Sequence, residues 1–270
     1  MSTNLYNITC KALCERVPWI QRCSFSIAAR SGIISHFRCN SPIMLYYYIH
    51  HVLGRGRYDV KIWRKERASM CQKLREIHGS QPDDILSRYL DSTASFVNMK
   101  DILLKMGIPC FKADFSELER KLGLPKDDTI WGLAASRGEE LIIAYSKKLD
   151  LAMQNYVLAH ELGHCCLHLP ISAEFHVELK RANDVYSDSS ISLHRFFGTR
   201  KQTDPEEFLL KESEADKFAA QLLLPDTLLS KYQNRTCPPT ARDLSKNLKV
   251  PIPFAQSKIN YYNNRKHGDE

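Results

Sequence analysis

Apolar positions fall into short, well-punctuated runs from Gln81 onward, whereas residues 1 to about 75 show no sustained period. Asp83 to Leu90 and Asn98 to Met106 predict helices, the second closed by Gly107. Ile108 to Phe111 predicts a short strand, and Pro109 inside it marks a sheet edge, because proline cannot donate to a ladder. Ser116 to Leu122 predicts a helix ending near Gly123 and Pro125. Thr129 to Ala135 and Glu140 to Tyr145 are strand-like runs joined by Ser136-Arg137-Gly138-Glu139, a hairpin signal. A long helix is predicted from about Asp150 to His168, stopped by Pro170. Residues 171–204 are polar and read as irregular. Asp204-Pro205-Glu206-Glu207 reads as a helix start: a capping side chain, a proline at the first position, then an acidic first turn. That helix runs to about Leu224 and stops at Pro225. Thr240 to Leu248 and Pro253 to Tyr262 predict two more helices about Lys249-Val250-Pro251. Nearer the start, Gly54-Arg55-Gly56-Arg57 reads as a turn and Lys61 to Ile77 as a basic, solvated helix.

Composition narrows the setting more than the chemistry. The chain has 270 residues, is 43% hydrophobic and carries a formal charge of +7, so it is globular and only mildly basic. Its nine cysteines are scattered apart from the adjacent pair Cys165-Cys166, and none forms CxxC. That pattern suits a reducing compartment in which thiols behave as small apolar groups. No stretch reaches membrane-spanning length. Lys11, Glu15, Arg16 and Arg22 interrupt the apolar positions a secretory signal would need. The expectation is a cytoplasmic protein without a membrane partner.

The chemistry lies in His160-Glu161-Leu162-Gly163-His164. Residues four apart stack on one helix face, so His160 and His164 can reach one zinc ion. Glu161, one step round, is placed to take a proton from an attacking water and pass it to a leaving amine. The flanking Leu151, Met153, Val157, Leu158 and Leu167 make the helix apolar, as buried ligands require. A catalytic zinc takes a third protein ligand. His168 lies eight residues, about 12 Å, from His160 at 1.5 Å per residue, too far to share the ion. It reads as a helix-end residue bonding a terminal carbonyl. His176 and His194, in the polar segment, read as loop histidines. On the helix 206–224, Phe208, Ala215, Ala219 and Leu222 form an apolar stripe. Glu212 falls inside it, Glu214 and Asp216 towards its edges. A carboxylate on a buried face is costly unless paired or metal-bound, so Glu212 is the expected ligand and Glu214 the reserve. Asp216 is placed to accept from an imidazole N–H. Tyr145, Tyr156 or a histidine are the candidates for stabilising the oxyanion.

Leu158 to His164, followed by Leu167-His168, resembles the zinc helix of the ImmA/IrrE metallopeptidases. The run from Glu212 through Ala215-Asp216 and Phe218-Ala219-Ala220 to Leu222-Leu223-Leu224-Pro225 resembles that family's second signature. The resemblance covers roughly residues 85 to 262 and assigns the third ligand to Glu212. It implies an α+β fold: a mostly helical, gluzincin-type zincin-like core with a short antiparallel β-sheet and a helical C-terminal unit. The expected domains are an N-terminal extension (1–75), the metallopeptidase domain (76–235) and a helix-turn-helix-like unit (236–270). It also implies a zinc endopeptidase that cuts helix-turn-helix repressors, derepressing mobile-element or stress genes. The rival reading is a zinc-containing transcriptional regulator or sensor that binds DNA or a repressor with little proteolysis. DNA is the less favoured partner, and the C-terminal helices are read as packing rather than DNA-binding.

Overall fold

The computed structural model describes residues 24–26, 36–38, 73–138, 140–182, 204–233 and 239–268. The chain divides into two compact units, Met1–Tyr47 and Tyr48–Glu270. In the first, β1 (Ser24–Ser26) and β2 (His36–Arg38) pair antiparallel with Phe25 opposite Phe37, a pairing no sequence signal announced. The turn at 54–57, most of the basic helix read over 61–77, and His194 lie outside the described residues. The end of that helix is present as α1 (Lys73–Ile77).

The second unit follows the punctuation of the sequence closely. α2 (Pro82–Tyr89) starts with a proline and a capping box in which Gln81 and Asp84 bond one another's backbone. α3 (Met99–Met106) is capped by Asn98 and closed by Gly107 at φ 68°, a left-handed turn that glycine adopts without penalty. Then come β3 (Cys110–Ala113), α4 (Ser116–Leu122), β4 (Ile130–Gly138), β5 (Glu140–Ser146) and α5 (Leu151–Leu167). β6 (Ser172–Arg181) and α6 (Pro205–Leu223) follow, then α7 (Asp226–Gln233), α8 (Ala241–Leu248) and α9 (Ile252–Gly268).

The sheet runs β3-β5-β4-β6. The pairs β4–β5 and β4–β6 are antiparallel, while β3 lies parallel to β5, so the sheet is mixed. β3 is an edge strand, as Pro109 indicated: Pro109 offers only its carbonyl, which accepts from Ile143 N at 3.0 Å. β6 corrects the reading of 171–204 as irregular. Its alternation of Phe175, Val177 and Leu179 with polar residues is a strand signal, and it places His176 opposite Ser136 in the sheet rather than in a loop.

α5 is buried almost all round, from Gln154 to Cys166, because it lies between the sheet and α6. Its polar residues are matched to fixed partners. Asn155 accepts from Met99 N (3.2 Å) and donates to Lys249 O (3.2 Å), tying α5 to α3 and to the turn after α8. Leu244, Leu248, Val250 and Ala255 of the C-terminal helices join the same core as Leu158 and Leu162 of α5. Among the described residues no helix is long and apolar enough to cross a membrane.

Candidate metal centre

Close approach of two helices builds the site. A Cβ on Gly163 would lie 3.2 Å from Ala215 Cα and 3.2 Å from Phe218 Cβ, so a larger residue would push α6 away from α5. On α6, Glu212 and Asp216 stand one turn apart on the face that carries Ala215 and Ala219, both fully buried. Glu212 therefore faces both His160 and His164, and Asp216 faces His160.

The structure brings three of the expected site residues together. His160 Nε2 and His164 Nε2 lie 2.9 Å apart. Glu212 Oε2 is 3.3 Å from His160 Nε2, and Glu212 Oε1 is 3.2 Å from His164 Nε2. All three residues are buried, and among the described residues they form the one His/Cys/Asp/Glu group spaced to hold a metal ion. Hydrogen-bond accounting shows that the donor set fits a cation. His160 Nδ1–H donates to Asp216 Oδ1 at 2.7 Å. His164 Nδ1–H donates to His168 Nδ1 at 3.0 Å, and His168 Nε2–H in turn donates to Glu214 Oε2 at 2.9 Å. With both Nδ1 protons committed, two Nε2 lone pairs and two carboxylate oxygens face one another with no proton between them. A cation reconciles them, and two imidazoles with one carboxylate are among the ligand sets found at catalytic zinc.

Burial opposes the charged imidazole, yet Asp216 and Glu212 together raise His160 to about 9. Burial pushes His164 down, despite its bond to Glu212. Burial works against ionised Asp216 too, but His160 and Lys180 bring it down to about 2. Glu212 is held well below the usual carboxylate range by the two histidines, against its own burial.

Glu161, one residue round α5 from His160, is fully buried against β4 and β6. Its Oε1 accepts from Lys180 N at 3.3 Å, and its Oε2 accepts no hydrogen bond. Burial pushes its carboxyl up to about 8, with His160 and Lys180 pulling the other way. A carboxyl so placed is poised to exchange a proton near neutrality.

Two residues stand elsewhere than the sequence implied. Glu214, the reserve ligand, is outside the three-residue group and pairs with His168. The His168 side chain does not bond a terminal carbonyl; it bridges Glu214 to His164. Tyr145 lies beneath Lys100, 4.9 Å from its Nζ, and Tyr156 donates its hydroxyl to Asp216 Oδ1 at 2.7 Å. Lys180 was missed altogether. It is 1% exposed, and its Nζ lies 3.3 Å from Glu212 Oε2 and 3.4 Å from Asp216 Oδ1. It shares its strand face with His176 and Glu178, a polar stripe that reads as solvent-facing, so its pattern pointed away from the site.

No curated protein sequence matches the chain significantly. The family model for the IrrE N-terminal-like domain, peptidase M78, matches residues 125–260, from the turn before β4 into α9. That span takes in the His160–His164 motif, Glu212 and every side chain around them, and half of the 270 residues. The chain belongs to the peptidase M78 family, the IrrE N-terminal-like metallopeptidases.

Proposed function

We propose that this protein is a zinc-dependent endopeptidase of the cytoplasm that cleaves a regulatory protein, a helix-turn-helix repressor, and so derepresses the genes it controls. The observation that carries the chemistry is Glu161, buried with an unbonded Oε2 one residue from a metal-holding histidine. The substrate class is supported by the resemblance of the two signatures to repressor-cutting ImmA/IrrE proteases.

Zinc held by His160, His164 and Glu212 would supply Lewis acidity toward the scissile carbonyl and the attacking water. The protein does the rest. Asp216 and His168 fix the two imidazoles with Nε2 facing the metal position. Glu161 accepts a proton as the water oxygen bonds to the carbonyl carbon. It returns that proton to the amine nitrogen as the C–N bond breaks. A groove of about 1610 Å³ opens at Glu212, Asp216 and Tyr156 and is walled further out by Leu90, Leu209 and Phe254. It is large enough for a peptide segment and offers apolar surface beside the metal position.

The test is a map of new protein N-termini in host cells expressing wild type or Glu161→Gln. A repressor cut only by wild type is the expected result. Identical termini with both proteins, each carrying zinc and tested with the inducing stress applied, overturns the proposal and leaves a zinc-containing regulator as the reading to pursue.

A further inference from the structure

The sheet delivers a cation to the metal centre. Lys180 is almost fully buried, and lysine is rarely so unless paired. Its Nζ lies against the two α6 carboxylates that serve the histidines, with the Tyr156 ring centroid 5.8 Å away. The same atoms are shared. Glu212 Oε2 is 3.3 Å from His160 Nε2 and 3.3 Å from Lys180 Nζ. Asp216 Oδ1 takes His160 Nδ1–H at 2.7 Å and Lys180 Nζ at 3.4 Å.

Charge balance explains why a lysine stands there. Glu212 is 5% exposed, and its Oε2 faces both His160 Nε2 and Lys180 Nζ. Burying a carboxylate without a partner is expensive. Lys180 supplies a permanent partner, which Asp216, at the solvent side of the site, shares.

We propose that Lys180 is a positioning residue of the metal centre: a resident counter-cation that acts through Glu212 and Asp216 and holds metal affinity below what the three ligands alone would give. Two effects set that sign. The ammonium draws on the Glu212 oxygen that the metal needs, and it repels a dication across a short, poorly screened distance. It also draws charge from Asp216, which makes His160 a weaker ligand. The site is thereby kept exchangeable, loading and releasing zinc as free zinc changes. The inference rests on the metal-holding role of His160, His164 and Glu212; it does not need the proposed substrate.

The experiment uses the full chain, stripped with a chelator and titrated with zinc against a competing chelator, with the cobalt(II) spectrum as a check on the ligand set. Lys180→Met should bind zinc about tenfold or more tighter, by removal of a nearby positive charge. Lys180→Arg should stay near wild type, and the cobalt(II) band should keep its tetrahedral intensity in both. Equal or weaker zinc binding by Lys180→Met overturns the proposal, since loss of mere packing would loosen the site. Should Lys180→Met fail to fold, Lys180→Gln keeps a polar tip without charge; it too must tighten binding, and unchanged or weaker affinity overturns the proposal. Glu212→Gln is the control that separates the two readings: it must lose zinc affinity. If it does not, the three-residue site itself fails and the Lys180 inference with it.

Discussion

A side chain on Gly132 would collide with Glu161: a Cβ built there lies 2.4 Å from Glu161 Oε1 and 2.4 Å from Val157 Cγ1. β4 and α5 therefore touch backbone to side chain at Glu161, the residue proposed above as the general base. Gly132→Ala must push the helix off the sheet or turn Glu161 out of place. We expect a destabilisation of about 1–3 kcal/mol, as for other overpacked cores, together with loss of cleavage while zinc is retained. Denaturant unfolding and zinc content measure both halves. Wild-type stability and turnover in this variant would show that the contact yields at no cost.

The chain Glu214–His168–His164 makes a second prediction. His168 must keep Nδ1 unprotonated to accept from His164, and Glu214 enforces that tautomer. His168→Leu should weaken zinc binding about 10- to 100-fold, the usual cost of removing such a partner. His168→Gln, whose amide oxygen can accept the same proton, should recover most of it. Chelator competition on the two variants decides the matter, and wild-type affinity in His168→Leu would dismiss the chain as incidental.

What could be read in advance follows from how local each determinant is. Helices whose caps are written in adjacent residues, such as Asn98 with Gly107 or Thr240 with Asp243, stood within a residue or two of their expected ends. His160, His164 and Glu212 could be named because helical spacing brings each to one face, and the structure brings those three together. β6 went unread because its alternation sits inside a polar segment. Lys180 and Gly132 went unread because their roles depend on pairing between strands distant in sequence: Gly132 lies opposite Lys180 across β4 and β6, with a register shift just beyond it. A period-2 pattern tells which residues share a face. It does not tell that the face meets a metal centre rather than water.

The adjacent thiols give a test of the core. Cys165 and Cys166 are both 0% exposed, and burial pushes Cys166 up to about 12 and Cys165 well above its ordinary value. A thiol is reactive as thiolate, so both should resist iodoacetamide in the folded protein and react only on unfolding. Half-buried Cys110 should label sooner. Peptide mapping after timed alkylation at mildly alkaline pH measures each site; equal labelling of Cys165 and Cys110 in the native state would contradict the packing of α5 described above.

Asp114 links the end of β3 to the start of α4 and to the turn after β5, and its contribution depends on pH with a definite sign. Its Oδ2 meets Lys147 Nζ at 2.6 Å, while its Oδ1 accepts from Ser116 Oγ at 2.7 Å and Ser116 N at 3.1 Å. Lys147 first, then Ser116, holds the carboxyl well below the ordinary aspartate value of 3.8. A depressed folded-state value means that the unfolded chain takes up the proton first as pH falls. The stabilisation is therefore complete above the ordinary value and is lost progressively below it. Asp114→Asn keeps an oxygen for Ser116 and removes only the charge. Because both partners are about half exposed, solvent screening limits the cost to about 0.5–1 kcal/mol at neutral pH. The gap between wild type and variant should be flat from neutrality down to about pH 4 and narrow below it. Unfolding curves at several pH values measure it; the absence of a gap at neutral pH would mean that the Ser116 bonds, which the variant keeps, carry the interaction and the ion pair does not.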